Sequence, residues 1–155
     1  MSEIRKYVEL IESNEHIEEG ARSDARETIE SNSYNTALHV IKAVYMEDST
    51  AYNHWKGEIK TFVNEMIRKN LRGKIKRKHA YEYLSSNTQS IQIRNKMITS
   101  IQHEYGYRII DSDDVYRIID TFFNSIADNI DSGELIDYNY LDEKIVQIRD
   151  TIKDL

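Results

Sequence analysis

The sequence contains no cysteine and no proline, and only five of its 155 residues are glycine. Without cysteine the chain forms no disulfide and no thiolate metal site, and we expect it in a reducing compartment, the cytoplasm. Proline and glycine interrupt helices, so their scarcity favours long helical segments. An AT-rich genome, such as that of a phage, a mobile element or a low-GC bacterium, would produce the same bias, because the abundant Ile, Asn, Lys and Tyr have AT-rich codons.

Long apolar runs are absent as well. Residues 1–16 lack the apolar core of a signal peptide, and no stretch approaches the roughly 20 apolar residues that a membrane-spanning helix needs. Hydrophobic residues make up 39% of the chain and charged residues 31%, against about 45–50% and about 25% in average domains. We therefore expect a soluble protein with no membrane segment and a modest core, which has either a strongly hydrated surface or a partner.

Apolar residues recur at helical spacing, and no segment shows strand-like alternation of comparable strength. Amphipathic stretches occupy residues 34–45, 52–67, 91–105 and 115–130. A seam with steps of four and three follows near the C-terminus, at Leu141, Ile145, Ile148, Ile152 and Leu155. The sequence predicts an all-α fold, a compact bundle of five to seven helices.

Polar residues and glycines indicate where these helices begin and end. We expect N-caps at Asn32 or Ser33, at Ser49 or Thr50, and at Asp111 or Ser112. Gly106 is placed to end one helix as a left-handed cap, and Gly133 to end the next. A loop at residues 85–88 would separate an N-terminal part, 1–85, from an acidic C-terminal part, 86–155. These parts form one domain or two small helical subdomains.

One segment reverses the sign of the charge. The chain carries a formal net charge of −6, yet residues 68–79, RKNLRGKIKRKH, contain no Asp or Glu. We call residues 68–79 the basic segment, and we expect Gly73 to interrupt the helix there. Its candidate nucleic-acid-binding residues are the seven cations Arg68, Lys69, Arg72, Lys74, Lys76, Arg77 and Lys78. Such a cluster either neutralises the phosphates of a nucleic acid or pairs with acidic helices of this chain or of a partner.

Aromatic residues near the basic segment are candidates for stacking on nucleobases. They are Tyr81, Tyr83 and Trp55, but Trp55 lies on the apolar stripe of its helix, and we expect it in the core. The acidic stretch 111–155 holds twelve Asp or Glu against four Lys or Arg. It keeps the protein soluble, docks a basic partner, or mimics DNA.

Catalytic motifs are nearly absent. The five histidines form neither HxxxH nor HExxH, and there is no glycine-rich phosphate loop and no GxSxG. The spacing of Arg72 and His79 resembles the Arg-x(4–6)-His pattern of the helical HEPN ribonucleases, which implies a third reading in which both residues act on the scissile phosphate. We assign no catalytic residue, no metal ligand and no cofactor.

A second resemblance covers residues 94–136, RNKMITSIQHEYGYRIIDSDDVYRIIDTFFNSIADNIDSGELI, which is similar to the opening helical hairpin of the HU/IHF histone-like proteins. The first helix matches at Met97, Ile98, Ile101 and Gly106. The second matches at Asp111, Val115, Ile118, Ile119, Phe122, Phe123, Ile126, Ile130, Gly133, Glu134 and Ile136. The resemblance implies a dimerisation or packing module. The family's sheet and DNA-gripping arm have no counterpart here, so no DNA-contacting residue carries over.

These patterns predict a non-enzymatic nucleic-acid-associated or regulatory protein. The basic segment would contact the phosphate backbone with little base readout. The alternative is a protein–protein interaction module, such as an inhibitor, an immunity factor or an assembly factor. That module would use the acidic C-terminal helices and exposed tyrosines. A protein partner or a homo-oligomer is expected in either case.

Overall fold

The computed structural model describes the backbone of residues 2–152 and the side chains of residues 19–152. Within that range it contains six helices and no strand, so the prediction of an all-α bundle with five to seven helices is confirmed. The helices are α1 (Ser2–Tyr45), α2 (Tyr52–Lys69), α3 (Arg77–Ser85), α4 (Ile91–Tyr105), α5 (Ser112–Ser132) and α6 (Tyr138–Asp150). None of the helices in the described range is both long and apolar enough to cross a lipid bilayer.

Helix α5 lies at the centre of the bundle and contacts each of the other five helices. Its apolar face is fully buried, as the periodicity predicts, at Val115, Ile118, Ile119, Phe122, Phe123, Ile126 and Ile130. Burial of one such side chain contributes roughly 1.5–3 kcal/mol. The buried cluster extends from Ala25 to Ile152 and includes residues from both predicted parts of the chain. The division between residues 85 and 86, which falls at the end of α3, stays a prediction.

The N-terminal helix is longer than expected. Helix α1 runs without a break through residue 45, so the prediction of an N-cap at Asn32 or Ser33 is wrong. Between Gly20 and Tyr45 the chain has neither proline nor glycine to stop it. Ser33 is buried, and its hydroxyl donates to the carbonyl oxygen of Glu30 at 2.9 Å, which satisfies the side chain inside the helix.

The other helix ends match the predictions in part. Asp111 caps α5, because its carboxylate accepts the backbone N–H groups of Asp113 and Asp114. Gly133 ends α5 in the left-handed conformation. Gly106 ends α4 with a φ of 100° and a ψ of 158°, so its predicted left-handed helical cap is wrong. Helix α2 has Ala51 as its N-cap, not Ser49 or Thr50. The seam of α6 is buried at Leu141, Ile145, Ile148 and Ile152, and Leu155 lies outside the described residues.

Candidate functional site

The basic segment joins α2 to α3 through a short loop. Residues 68–69 are the last turn of α2, residues 70–76 form the loop, and residues 77–79 open α3. The predicted interruption at Gly73 is confirmed. Three residues of the segment, Asn70, Gly73 and Ile75, point inward and are buried, whereas all seven of its cations are exposed. The loop therefore presents its charges outward from an anchored backbone.

Asn70 holds the loop closed. Its side-chain Nδ2 donates to the carbonyl oxygens of Ile75 at 2.9 Å and of Ile130 at 2.8 Å. Its Oδ1 accepts the backbone N–H of Ile75 at 2.9 Å. One buried amide thus satisfies both backbone groups of Ile75 and ties the loop to the last turns of α5.

Gly73 presses the opposite side of the loop against α1. A Cβ atom at this position would lie 3.1 Å from Cβ of Ala25, 3.2 Å from the carbonyl oxygen of Ala21 and 2.9 Å from Oδ1 of Asn70. Only a residue without a side chain allows this approach. The loop is accordingly packed between α1 and α5, which fixes the backbone from which its cations extend.

Two side chains of α5, one carboxylate and one amide, bind the guanidinium of Arg77. Its Nε donates to Asp128 at 2.7 Å, and its Nη2 donates to Oδ1 of Asn124 at 2.9 Å. Its backbone N–H donates to Asp131 at 3.0 Å. The expectation that acidic helices of the same chain neutralise the segment therefore holds for Arg77, which joins α3 to α5. Lys74 is engaged as well.

The other five cations of the segment have no such partner. Among the residues whose side chains are described, none forms a salt bridge, hydrogen bond or ring contact with Arg68, Lys69, Arg72, Lys76 or Lys78. All five are exposed. These five residues are the candidates for contact with an external anion.

Local conformational preferences are violated twice in the basic segment. Lys74 has a φ of 54°, the single positive φ of a non-glycine residue in the described range. Arg77 and Lys78 occupy the first turn of α3, which contains no acidic residue and receives no side-chain cap from Lys76. The helix dipole disfavours cations at that end. Such departures from local preference are expected at functional sites, where another requirement overrides stability.

The aromatic side chains near the segment have contacts within the fold. Trp55 is buried, as expected for its apolar stripe. Arg26 lies over the ring of Tyr83, 4.6 Å from its centroid. The hydroxyl of Tyr81 donates to Asp120. The stacking of Tyr81 or Tyr83 on a base stays a prediction.

The structure separates the two residues of the HEPN-like pattern. Arg72 lies in the loop and His79 in the first turn of α3, and within the described part of the chain no hydrogen bond or ion pair joins them. The ring of His79 instead faces Tyr83, with the two centroids 6.3 Å apart. The ribonuclease reading stays a prediction. Among the described residues, no group of three or more His, Asp or Glu side chains is arranged to hold a metal ion.

Another cleft, with a volume of about 610 Å³, lies at the C-terminal end of α1. The lining includes two arginines, Arg108 and Arg149, which the sequence did not mark as candidates. Arg149 donates to the carbonyl oxygens of Ala43 at 2.9 Å and Val44 at 3.2 Å, and Arg108 donates to that of Tyr45 at 2.6 Å. These contacts satisfy the terminal carbonyls of α1, which has no glycine cap. The arginines therefore have a structural role that accounts for the cleft.

A smaller cleft of about 170 Å³ adjoins the basic segment. It lies between the loop and the C-terminal end of α5, and its lining residues are Asn70, Leu71, Lys74, Ile75, Lys76, Ile130, Asp131, Ser132 and Gly133. Leu71 is 65% exposed although it is apolar. The sequence signalled the cations on one side of this cleft, but residues 130–133 come from a distant segment that only the packing of α5 brings here.

Comparisons of the chain with protein-family models, with curated proteins and with solved structures gave no match. Residues 94–136 do contain two helices, α4 and α5, but a helical pair occurs in many unrelated folds. The resemblance of this segment to the HU/IHF hairpin stays a prediction.

Proposed function

We propose that this protein is a non-enzymatic nucleic-acid-binding protein whose basic segment contacts the phosphate backbone. The observation that carries the proposal is the set of five exposed cations, within and on either side of an anchored loop, that have no partner among the described side chains. The chain contains 27 acidic residues against 21 Lys and Arg, so internal partners are plentiful. Cations without an internal partner, in a chain with excess negative charge, favour the binding of an anion from outside the molecule.

The mechanism is electrostatic. Each phosphate contact releases a condensed counterion, which lowers the logarithm of the affinity by about 0.9 per decade of salt on duplex DNA and about 0.7 on single strands. Five contacts would give a slope of about −4.5 or about −3.5, respectively. Because the loop is anchored by Asn70 and Gly73, binding would order few backbone torsions. Affinity would depend on charge and little on sequence.

Matched charge variants test the proposal. Arg72, Lys76 and Lys78 are replaced together by Gln in one variant. The control variant replaces by Gln three lysines outside the segment, Lys60 on α2, Lys96 on α4 and Lys144 on α6. Each of these lysines lies over a tyrosine ring. Both variants lose three positive charges, so a general field effect would weaken both equally. Affinity for labelled oligonucleotides is measured by fluorescence anisotropy over a range of salt concentrations.

The first variant should lose affinity at low salt by about tenfold or more, and its salt slope should fall by about two to three units. The control should keep the slope of the original protein. Unchanged affinity of the first variant in low salt, with its helical content intact by circular dichroism, would reject the proposal.

Asp128 provides an independent arm of the same test. Its carboxylate competes with phosphate for Arg77, since the two groups lie 2.7 Å apart. Asp128→Asn should free one more cation, raise the affinity and steepen the salt slope by up to about 0.9. Asp142→Asn, which breaks the 2.8 Å pair with Lys56 outside the segment, is the matched control. Equal effects of the two substitutions would show that only net charge matters.

A second candidate function is a protein–protein interaction module. The loop between α4 and α5 exposes two large side chains, Tyr107 by 86% and Ile109 by 92%. Exposed tyrosine and isoleucine side chains next to each other are typical of contact surfaces between proteins. This function predicts a stable protein complex that survives nuclease treatment. Recovery of nucleic acid without any protein partner in a pull-down would count against it.

A further inference from the structure

We infer that the nucleic acid bound by the basic segment is single-stranded, and that the 170 Å³ cleft beside the segment receives one unpaired base. This inference rests on the proposed function and adds the class of ligand. The cleft and the cations share the same loop, because Lys74 and Lys76 line the cleft while Arg72 lies in the loop between Leu71 and Gly73. A strand that follows the cations would pass the mouth of the cleft.

The size of the cleft suits one base. Sites for whole drug-sized ligands enclose about 300–1,000 Å³, so a cleft of about 170 Å³ accommodates a single small ring system. Its lining is mixed. Leu71, Ile75 and Ile130 are aliphatic, and the other six residues contribute polar side chains or backbone. Ile75 and Ile130 are buried, whereas Leu71 remains mostly exposed. Extruded bases are held by apolar packing together with hydrogen bonds to the edge of the base, and a mixed lining offers both.

Leu71 and Gly133 shape the opening. A Cβ atom on Gly133 would lie 3.0 Å from Cδ2 of Leu71, so the absence of a side chain at this position keeps the leucine in place over the end of α5. Gly133 is also in the left-handed conformation that ends α5, with a φ of 81°. The same glycine thus stops the helix and leaves the cleft uncovered.

Asp131 offers a base a hydrogen-bond acceptor inside the cleft. Asp131 lines the cleft and already accepts the N–H of Arg77 at 3.0 Å. Its carboxylate can accept a further hydrogen bond from an N–H group on the edge of a base. Arg72 and Lys76 would hold the phosphates on either side. A base that is paired and stacked in a duplex would first have to be extruded, which costs a few kcal/mol.

The test compares three ligands of equal length at low salt, in both DNA and RNA forms. They are a single-stranded oligonucleotide, the same strand made entirely of abasic nucleotides, and a blunt duplex. Contact with one base should make the base-bearing strand bind roughly fivefold or more tightly than the abasic strand, which has the same number of phosphates. It should also bind more tightly than the duplex.

Two leucine variants localise the effect. Leu71→Ala should reduce affinity for the base-bearing strand to nearly that of the abasic strand and leave affinity for the abasic strand unchanged. Leu135→Ala is the matched control, since Leu135 is also an exposed leucine, at 47%, and lies outside the basic segment. It should change neither affinity. Both side chains are largely solvated, so circular dichroism should show folded proteins.

The outcomes separate this inference from the proposed function. Equal binding of the base-bearing and abasic strands, or tighter binding of the duplex, would overturn the single-strand inference while the phosphate contacts stood. An equal loss of affinity for both strands in Leu71→Ala would overturn the assignment of the cleft. No binding of any ligand, in either nucleic acid, would overturn the proposed function and this inference with it.

Discussion

The side-chain amide of Asn70 forms two hydrogen bonds with the backbone of Ile75, one to the carbonyl oxygen and one from the N–H, each 2.9 Å long. The same amide reaches the carbonyl oxygen of Ile130 on α5. Six residues, 70–75, are thereby closed into a ring whose inward-facing residues are buried and whose cations are exposed. This ring couples the stability of the fold to the position of the charges on its surface.

Removal of the amide should affect both properties. In Asn70→Ala the backbone groups of Ile75 and the carbonyl of Ile130 lose their partners, which should lower the free energy of unfolding by about 1–3 kcal/mol. Affinity for nucleic acid should also fall, because the loop would be ordered only on binding. Urea denaturation and anisotropy titration measure the two effects.

Asn64 offers a matched control for this variant. It is also buried on α2, and its amide binds the backbone of Ile136 in the same way, with bonds of 3.0 Å and 2.9 Å. Asn64→Ala should lose a similar free energy of unfolding and keep its affinity. If both variants lost affinity equally, the anchoring of the loop would have no special part in binding.

Gly73 and Gly20 should respond to alanine in opposite directions. A methyl group at Gly73 would come within 3.2 Å of three neighbours, two of them on α1, and should destabilise the fold by about 1–3 kcal/mol. At Gly20, inside α1, a Cβ atom would have no described neighbour within 4 Å, and Gly20→Ala should raise the free energy of unfolding by about 0.5–1 kcal/mol. Urea titration of the pair checks the signs, and a stable Gly73→Ala protein would show that the loop is not pressed against α1.

Stability should fall in alkali because of Tyr45. Burial, and secondarily the charges of Asp114 and Asp111, raise the pKa of Tyr45 to about 12. An unfolded tyrosine has a pKa of about 10, so between pH 10 and pH 12 the unfolded chain releases a proton that the folded chain retains. The free energy of unfolding therefore decreases as the pH rises through this range, by up to about 2–3 kcal/mol from this group.

Phenylalanine variants check this assignment. Tyr45→Phe removes the titrating hydroxyl, so its free energy of unfolding should decline less steeply between pH 10 and pH 12. Tyr107→Phe, at a side chain that is 86% exposed, should decline as the original protein does. Burial also raises the pKa of Tyr34, Tyr81, Tyr105 and Tyr140, so part of the alkaline loss should remain in both variants. Identical slopes for the two variants would contradict the role of Tyr45.

Much of the fold could be predicted from local spacing. The buried face of α5 and the end of that helix at Gly133 follow from a 3.6-residue period and a left-handed glycine, which neighbouring residues determine by themselves. The continuity of α1 through Ser33 could not be predicted in this way. A serine is a good cap when it faces solvent, and only the packing that buries Ser33 makes it an ordinary helical residue.

The candidate site could also be predicted in part from the sequence. The seven cations and the break at Gly73 stand out in the chain, but their partners do not. Arg77 meets Asp128 across 51 positions of sequence, and no short-range pattern distinguishes it from Lys76 or Lys78 beside it. Leu71 likewise gave no signal, since its exposure depends on where α5 ends.

The order of residues alone determined the helical class, the central amphipathic helix and the presence of one positive segment in a negative chain, because each depends on composition or on spacing within a few turns. The tertiary structure decided which cations remain open and which side chains line the small cleft. Those properties depend on distances between segments far apart in the chain. Such distances are set by the burial of apolar faces against one another, and that burial is a property of the whole bundle.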